Sequence, residues 1–304
     1  MKKLITALLI AMLLITNTAY AGELEDAYKA YASGNYVKAV NLYKSLALKG
    51  NAEAQYNLGT MYSKGRGIVQ DDAEAVKWYG LAAAQGLAEA QYNLGNMYYK
   101  EQGVVQDYAE AVKWYGLAAE QGNAYAQFRL GVMYAEGRGV VRNDAEAVKW
   151  YGLATAQNNN LAQYSLGVMY AEGRGVVRND AEAVKWFKLA VAQNNGLAQT
   201  HLGAMYCDGQ AVVKDYAEAV KLFKLAAEQG IATAQHNLGN MYYKGQGVVQ
   251  DYVAAHKWWN LAAAQGDETA IKNRALVEDV MTAQQIAEAQ RLARECLARK
   301  YRDC

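Results

Sequence analysis

The stretch LGVMYAEGRGVVRNDAEAVKW stands at residues 130–150 and again, unchanged, at 166–186. Identical sequence calls for identical surroundings, whereas a single closed core gives every segment different neighbours. The repetition therefore points to like units stacked in a row. Working outward, the pair Leu130-Gly131 has counterparts at Leu58-Gly59, Leu94-Gly95, Leu166-Gly167, Leu202-Gly203 and Leu238-Gly239, each 36 residues from the next. This period frames six units, 52–87, 88–123, 124–159, 160–195, 196–231 and 232–267, and predicts an all-α solenoid of helix-turn-helix repeats.

Within each unit the apolar residues fall on two helical stripes. In AEAQYNLGTMYSK, from Ala52, the stripe is Ala54, Leu58, Met61 and Tyr62; in the segment from Asp71 it is Ala75, Trp78 and Ala82, widened by Val76 and Tyr79. The recurring Trp78, Trp114, Trp150, Trp186 and Trp258 lie on this second stripe and are read as core. Asx residues three positions ahead of Glu (Asp71 and Glu74, Asp107 and Glu110, Asn143 and Glu146, Asn179 and Glu182, Asp215 and Glu218) predict N-caps resembling a capping box, with the Glu reaching back. Gly86, Gly122, Asn158, Asn194, Gly230 and Gly266 then supply the left-handed turn of a C-cap. Between the helices, GRGIVQ at 65–70 and GRGVVR at 137–142 and 173–178 predict a glycine turn whose apolar pair, such as Val140-Val141, tucks the loop onto the core. A phosphate cradle is excluded, because neither the preceding strand nor the third glycine that it requires is present.

The unit A-x-A-Q-x-x-L-G-x-M-Y-x-x-G-x-G-V-V-x-D-x-A-E-A-V-K-W-Y resembles the Sel-1-like repeat, a relative of the tetratricopeptide repeat with a longer turn, and it covers residues 52–267. The departures are Glu101 for the first turn glycine, Ala211 for the second and Ala254 for the capping Glu, so those turns are expected to be looser or differently bent. Residues 22–51 resemble a shorter tetratricopeptide-like unit acting as the N-terminal cap. At the other end, 268–304 breaks the period: a helix through Val280, a new start at Thr282 with Gln285, and a stripe of Ile286, Ala289, Leu292, Ala293 and Cys296 beneath a polar face predict capping helices. The resemblance implies a right-handed α/α superhelix that holds another protein on its concave face.

By analogy with tetratricopeptide geometry, the second, fifth, ninth and twelfth residues of each first helix would line that face. The candidates are Tyr56, Tyr92, Phe128, Tyr164 and His236 in the fifth column, Asn96, Val132, Val168 and Asn240 in the ninth, and Tyr99 and Tyr243 in the twelfth. Aromatic and amide groups suit peptide or protein capture. The fifth-column rings either line the groove or pack between neighbouring units. The resemblance also bears on Cys296 and Cys304, whose spacing is similar to that of helix-bridging disulfides in cysteine-rich members; in a straight helix they would lie about 12 Å apart, so a bond between them requires the chain to turn after about Ala298.

The first 21 residues carry Lys2 and Lys3, an apolar run from Leu4 to Ile15 and Ala19-Tyr20-Ala21, the pattern of a cleavable signal peptide, with the mature chain starting near Gly22. The expected location is the periplasm or the exterior, with no membrane-spanning segment after cleavage. The formal net charge of +1, without a long basic run, excludes nucleic acid as a partner class. His201, His236 and His256 are the three histidines, none at HExxH spacing, and no C-x-x-C, G-x-S-x-G, S-x-x-K or K-T-G occurs, so no metal, cofactor or catalytic set is expected. The expectation is a monomeric, non-enzymatic scaffold for an envelope or host protein. The alternative is an envelope-associated peptidoglycan- or penicillin-binding protein or hydrolase, a role of some cysteine-rich relatives that no matching residue carries here.

Overall fold

The computed structural model describes residues 22–302 and 304, among which every regular element is a helix. The signal-peptide segment, 1–21, lies outside the described residues. The chain divides into two compact units after Ala154. The first holds α1 (22–32), α2 (Tyr36–Leu48), α3 (Ala52–Lys64), α4 (Asp72–Ala84), α5 (Ala88–Lys100), α6 (Tyr108–Glu120), α7 (Ala124–Glu136) and most of α8 (Asp144–Ala156). The second holds α9 (Asn160–Glu172), α10 (Asp180–Ala192), α11 (Gly196–Asp208), α12 (Tyr216–Ala227), α13 (Ala232–Lys244), α14 (Tyr252–Ala263), α15 (Glu268–Glu278) and α16 (Ala283–Ala298). Each repeat is one antiparallel pair, such as α3 on α4 or α13 on α14, and within each unit successive pairs stack, α4 on α5 and α6 on α7 in the first, α10 on α11 and α12 on α13 in the second; the chain is an all-helical repeat solenoid.

The recurring Leu-Gly pair accounts for the tightness of this pairing. Leu58 and Leu94 are buried, and the glycine after each accepts the flat side of an aromatic ring from the second helix: a Cβ on Gly95 would lie 2.8 Å from the Tyr115 ring. A second recurrent device is polar. Gln55 and Gln91 are buried, donate to the Ala47 and Ala83 carbonyls at 3.1 Å, and accept at 2.7 Å from Gln85 and Gln121. Gln163, Gln199 and Gln235 accept likewise from Gln193, Gln229 and Gln265. Each buried amide thus donates across the junction to the preceding repeat and accepts from within its own, satisfied as burial of a polar group requires.

The Asx residues cap the second helices as expected: the side chain of Asp71 accepts from the Glu74 amide at 3.0 Å, and Asp107 from Glu110 at 3.0 Å. The reach-back of the Glu does not occur. The backbone N–H of Asp71 already donates to the Tyr62 carbonyl, and those of Asp107, Asn143, Asn179, Asp215 and Asp251 to the matching tyrosine carbonyls of their first helices. Freed from that duty, Glu74, Glu110, Glu146, Glu182 and Glu218 pair with the lysine three residues on. A full capping box is present at Thr282 and Gln285.

Two expectations about the loops are corrected. Glu101 and Ala211 do not bend their turns differently: they take φ of 59° and 56°, the left-handed conformation that glycine holds in the other repeats. In the first repeat the loop's second glycine lies close on the preceding unit, where a Cβ on Gly67 would meet the Tyr36 backbone at 2.4 Å; at the equivalent position of the fifth repeat Ala211 carries a Cβ and keeps the left-handed conformation. Only the first member of each apolar pair tucks inward. Val104 and Val140 pack on the core, whereas Val69, Val105, Val141, Val177, Val213 and Val249 are 81–89% exposed. Extended backbone sends successive side chains to opposite sides, so one valine of each pair must face out.

At the C-terminus α16 lies against α14, and its Ala293 and Cys296 complete a core with Trp258 and Leu261. A disulfide joins Cys296 to Cys304 with Cα atoms 5.3 Å apart, the chain having turned beyond Ala298. The Nζ of Lys257 donates to the Cys304 carbonyl oxygen at 2.7 Å and sits 4.2 Å above the Trp258 ring; burial pushes this amine down to about 8.

Candidate functional site

The candidate surface in each unit is formed by the half-buried and exposed side chains of its first helices. In the first unit Tyr56 is half-buried, its ring 5.9 Å from that of Tyr79, whose hydroxyl donates to Thr60 at 3.1 Å. Tyr92 repeats this with Tyr115 at 6.0 Å, and the Tyr115 hydroxyl donates to Asn96 at 2.9 Å. Phe128 stands 5.9 Å from Tyr151. In the second unit Tyr164 contacts Phe187 at 6.0 Å and the His201 ring at 5.4 Å. Each of these fifth-column rings packs on the second helix of its own repeat, and Tyr92 and Tyr164 also meet a ring of the next repeat, Tyr125 and His201. Burial accordingly raises the Tyr56 and Tyr164 hydroxyls above their ordinary range.

The remaining candidates are less alike than their columns suggest. Tyr99 packs its ring 5.4 Å from Tyr108, accepts a hydrogen bond from Arg138 at 2.7 Å, and lies beneath the Arg129 and Arg138 guanidiniums. Val132 is half-buried, and Val168 packs into the core with Phe187. His236, Asn240 and Tyr243 come together on one cavity of about 340 Å³ beside Trp259 and Asn273. His236 meets Asp267 at 3.3 Å, and Tyr243 lies 5.5 Å from the Trp259 ring.

The most exposed members of this surface come from the second column, whose residues the sequence reading did not single out. Tyr125 is 62% exposed and stacks 6.0 Å from Tyr92 in the first unit, and Leu161 and Leu197 are each 43% exposed in the second. The signal was present in the sequence: where α3 and α5 have Glu53 and Glu89 at this position, the middle repeats have apolar residues. The tryptophans behave as core at Trp78 and Trp258, while Trp114, Trp150 and Trp186 are half-buried beneath a lysine ammonium at 5.5–5.8 Å.

Among the described residues no cluster of three or more His, Cys, Asp or Glu is arranged to hold a metal ion, and no helix is long and apolar enough to cross a membrane. His256 is fully buried with its Nε2 2.7 Å from Glu278, an internal tie between α14 and α15.

Stacked helical pairs with a half-open aromatic face define an all-α repeat protein. The Sel1 repeat model matches residues 29–51 and then each of the units from 52–87 to 232–267, and the chain belongs to the Sel1 repeat family. The segment 29–51, which the sequence likened to a tetratricopeptide unit, thus also matches this model. Among solved structures, a Sel1 repeat protein from Oxalobacter formigenes is 32% identical with a TM-score of 0.74, over 79% of this chain and 96% of that one. A protective antigen present in uropathogenic Escherichia coli strains, displaying an SLR fold, is 28% identical with a TM-score of 0.52, over 94% of this chain and 86% of that one. A 50-residue stretch is 42% identical to the exopolysaccharide production negative regulator of Rhizobium leguminosarum bv. viciae; it amounts to 16% of this chain and only 19% of that protein. Repeats of this family commonly mediate contacts between proteins.

Proposed function

We propose that this protein is an exported, non-enzymatic scaffold that captures a protein partner on the open face of its first helices. The observation that carries the reading is the exposed second column: Tyr125 beside the Tyr92 ring in the first unit, and Leu161 and Leu197 in the second, whose first helices also carry the Tyr164 ring packed on Phe187. Rigid aromatic anchors flanked by amides offer contact area at small entropic cost, the composition of a protein-binding surface. The amino-terminal 21 residues support export to the periplasm or beyond. The partner is an envelope or host protein, and the scaffold acts as a monomer.

The test is affinity capture from envelope and host extracts with the full chain, beside a variant carrying Tyr125→Ser, Leu161→Ser and Leu197→Ser. These positions are exposed enough to change without emptying the core. A protein held by the wild type and released by a variant of unchanged helicity supports the reading. Identical capture by both forms removes the face from consideration, and capture of peptidoglycan alone overturns the protein-scaffold reading.

A further inference from the structure

In the second unit α13 is flanked by two cavities: one of about 380 Å³ bounded by α11 and α12, and the one of about 340 Å³ bounded by α14 and α15. Asn240 and Lys244 line both. Two exchanges relative to other repeats set the chemistry of this place.

The first concerns charge. In the loops after α7 and α9 an arginine is met by the aspartate two residues on: Arg142 by Asp144 at 2.9 Å and Arg178 by Asp180 at 3.1 Å. The loop after α11 keeps the cation as Lys214 but has Tyr216 where the aspartate stood. The ammonium of Lys214 rests 4.8 Å from the Tyr216 ring centroid and, like Lys244, has no ion-pair partner among the described residues. Both lysines line the larger cavity, against the single carboxylate of Asp208.

The second exchange concerns amides. At α5 and α6 the Tyr115 hydroxyl occupies Asn96. At α13 and α14 the same columns hold Asn240 and Trp259, and the indole N–H of Trp259 turns instead to the His236 carbonyl at 3.2 Å. Asn240 is left with one long bond, accepted from Asn273 at 3.3 Å, and the Asn237 carboxamide lines the larger cavity without a side-chain hydrogen bond. A carboxamide presents one donor group and one acceptor, the pairing that a peptide group needs.

We propose that α13 and its two cavities form a subsite for an acidic residue of an extended partner peptide. The carboxylate lies between Lys214 and Lys244, and the adjoining peptide group meets Asn237 and Asn240. Phe223 and Met241 form the apolar wall of the larger cavity, and Tyr243 and Trp259 receive the neighbouring residue in the smaller one. Two ammonium groups converging on one carboxylate form charge-assisted hydrogen bonds, stronger than those between neutral groups. The assignment rests on the scaffold reading above and names the partner chemistry that one part of the face selects.

The test is a positional-scanning array of fluorescein-labelled octapeptides bound to the full chain, followed by anisotropy titration of the selected sequence. Asp and Glu are expected to be enriched at one position. Affinity should fall about tenfold in Lys214→Ala, Lys244→Ala and Asn240→Ala, recover in Lys214→Arg and Lys244→Arg, and hold in Lys221→Ala, whose charge is paired with Glu218 outside both cavities. Selection without acidic enrichment, or enrichment that survives both lysine-to-alanine changes, overturns the subsite and leaves the scaffold reading standing. If no octapeptide is selected the subsite also falls, and the capture experiment decides the scaffold reading independently.

Discussion

Two glycines in successive helices of the same repeat should answer the same substitution with opposite signs. Gly95 of α5 faces Tyr115, and an added Cβ would lie 2.8 Å from two ring carbons; Gly116 of α6 has nothing within 4 Å of that point. The ring has little room to yield, because Tyr115 is fully buried and its hydroxyl is held by Asn96. Overpacking costs roughly 1–3 kcal/mol, displacing the hydroxyl from its partner adds about 1 kcal/mol, and the helical preference of Ala over Gly returns about 1 kcal/mol. Gly95→Ala should therefore lose about 1–3 kcal/mol net. Gly116→Ala keeps only the favourable contribution and gains up to about 1 kcal/mol. Urea unfolding of the full chain, followed by far-UV circular dichroism, should move the two midpoints apart at unchanged slope. In a double-mutant cycle, Tyr115→Ala should abolish the Gly95→Ala penalty. A Gly95→Ala protein at or above wild-type stability, or both variants shifting in one direction, would refute the account of the Leu-Gly pair.

The loop correction makes a paired prediction: Val105→Ala should stay within about 0.5 kcal/mol of wild type, whereas Val104→Ala, which removes methyls packed on the core, should cost about 1 kcal/mol in the same denaturation assay. Gln91→Leu should destabilise by about 1 kcal/mol, because it removes the bond donated to the Ala83 carbonyl and the one accepted from Gln121; hydrogen exchange should show the loss concentrated in α4, α5 and α6. Alkylation of the unfolded, unreduced chain should add one adduct, on Cys207, and three after reduction. In the folded state Cys207 should react more slowly than a free thiol at neutral pH and speed up as pH rises, because burial raises its pKa and so lowers the thiolate fraction.

The helices were legible because the 36-residue period, the apolar stripes and, at the second helices, the Asx caps agreed. AEAQYNLGTMYSK fills α3 from Ala52 to Lys64, and α16 starts directly after Thr282. What sequence could not assign was direction and competition. Val140 and Val141 are equally apolar, and only the extended backbone between fixed helices decides which one faces out. The Glu of each cap could bond backwards or forwards, and the tyrosine carbonyl that pre-empts the backward bond is brought there by the tertiary fold. For the candidate surface, the columns were visible, but the states within a column were not. Tyr92 and Tyr125 stack on one another although they belong to different helices, and Asn96 and Asn240 differ in availability because of an exchange of Tyr115 for Trp259 in a distant part of the chain.

The tyrosine-carbonyl bond that closes each loop joins residues of the same repeat: Tyr134 to Asn143 and Tyr170 to Asn179 lie within the two identical stretches. Because the two stretches are identical and 36 residues apart, removing or adding 36 residues between them creates no junction sequence that the protein does not already contain. Residues 130–165 could be excised and both capping segments would keep their own covalent neighbours. The length of the molecule, and with it the number of first helices, can therefore change by one whole repeat through a single deletion or insertion of 36 residues.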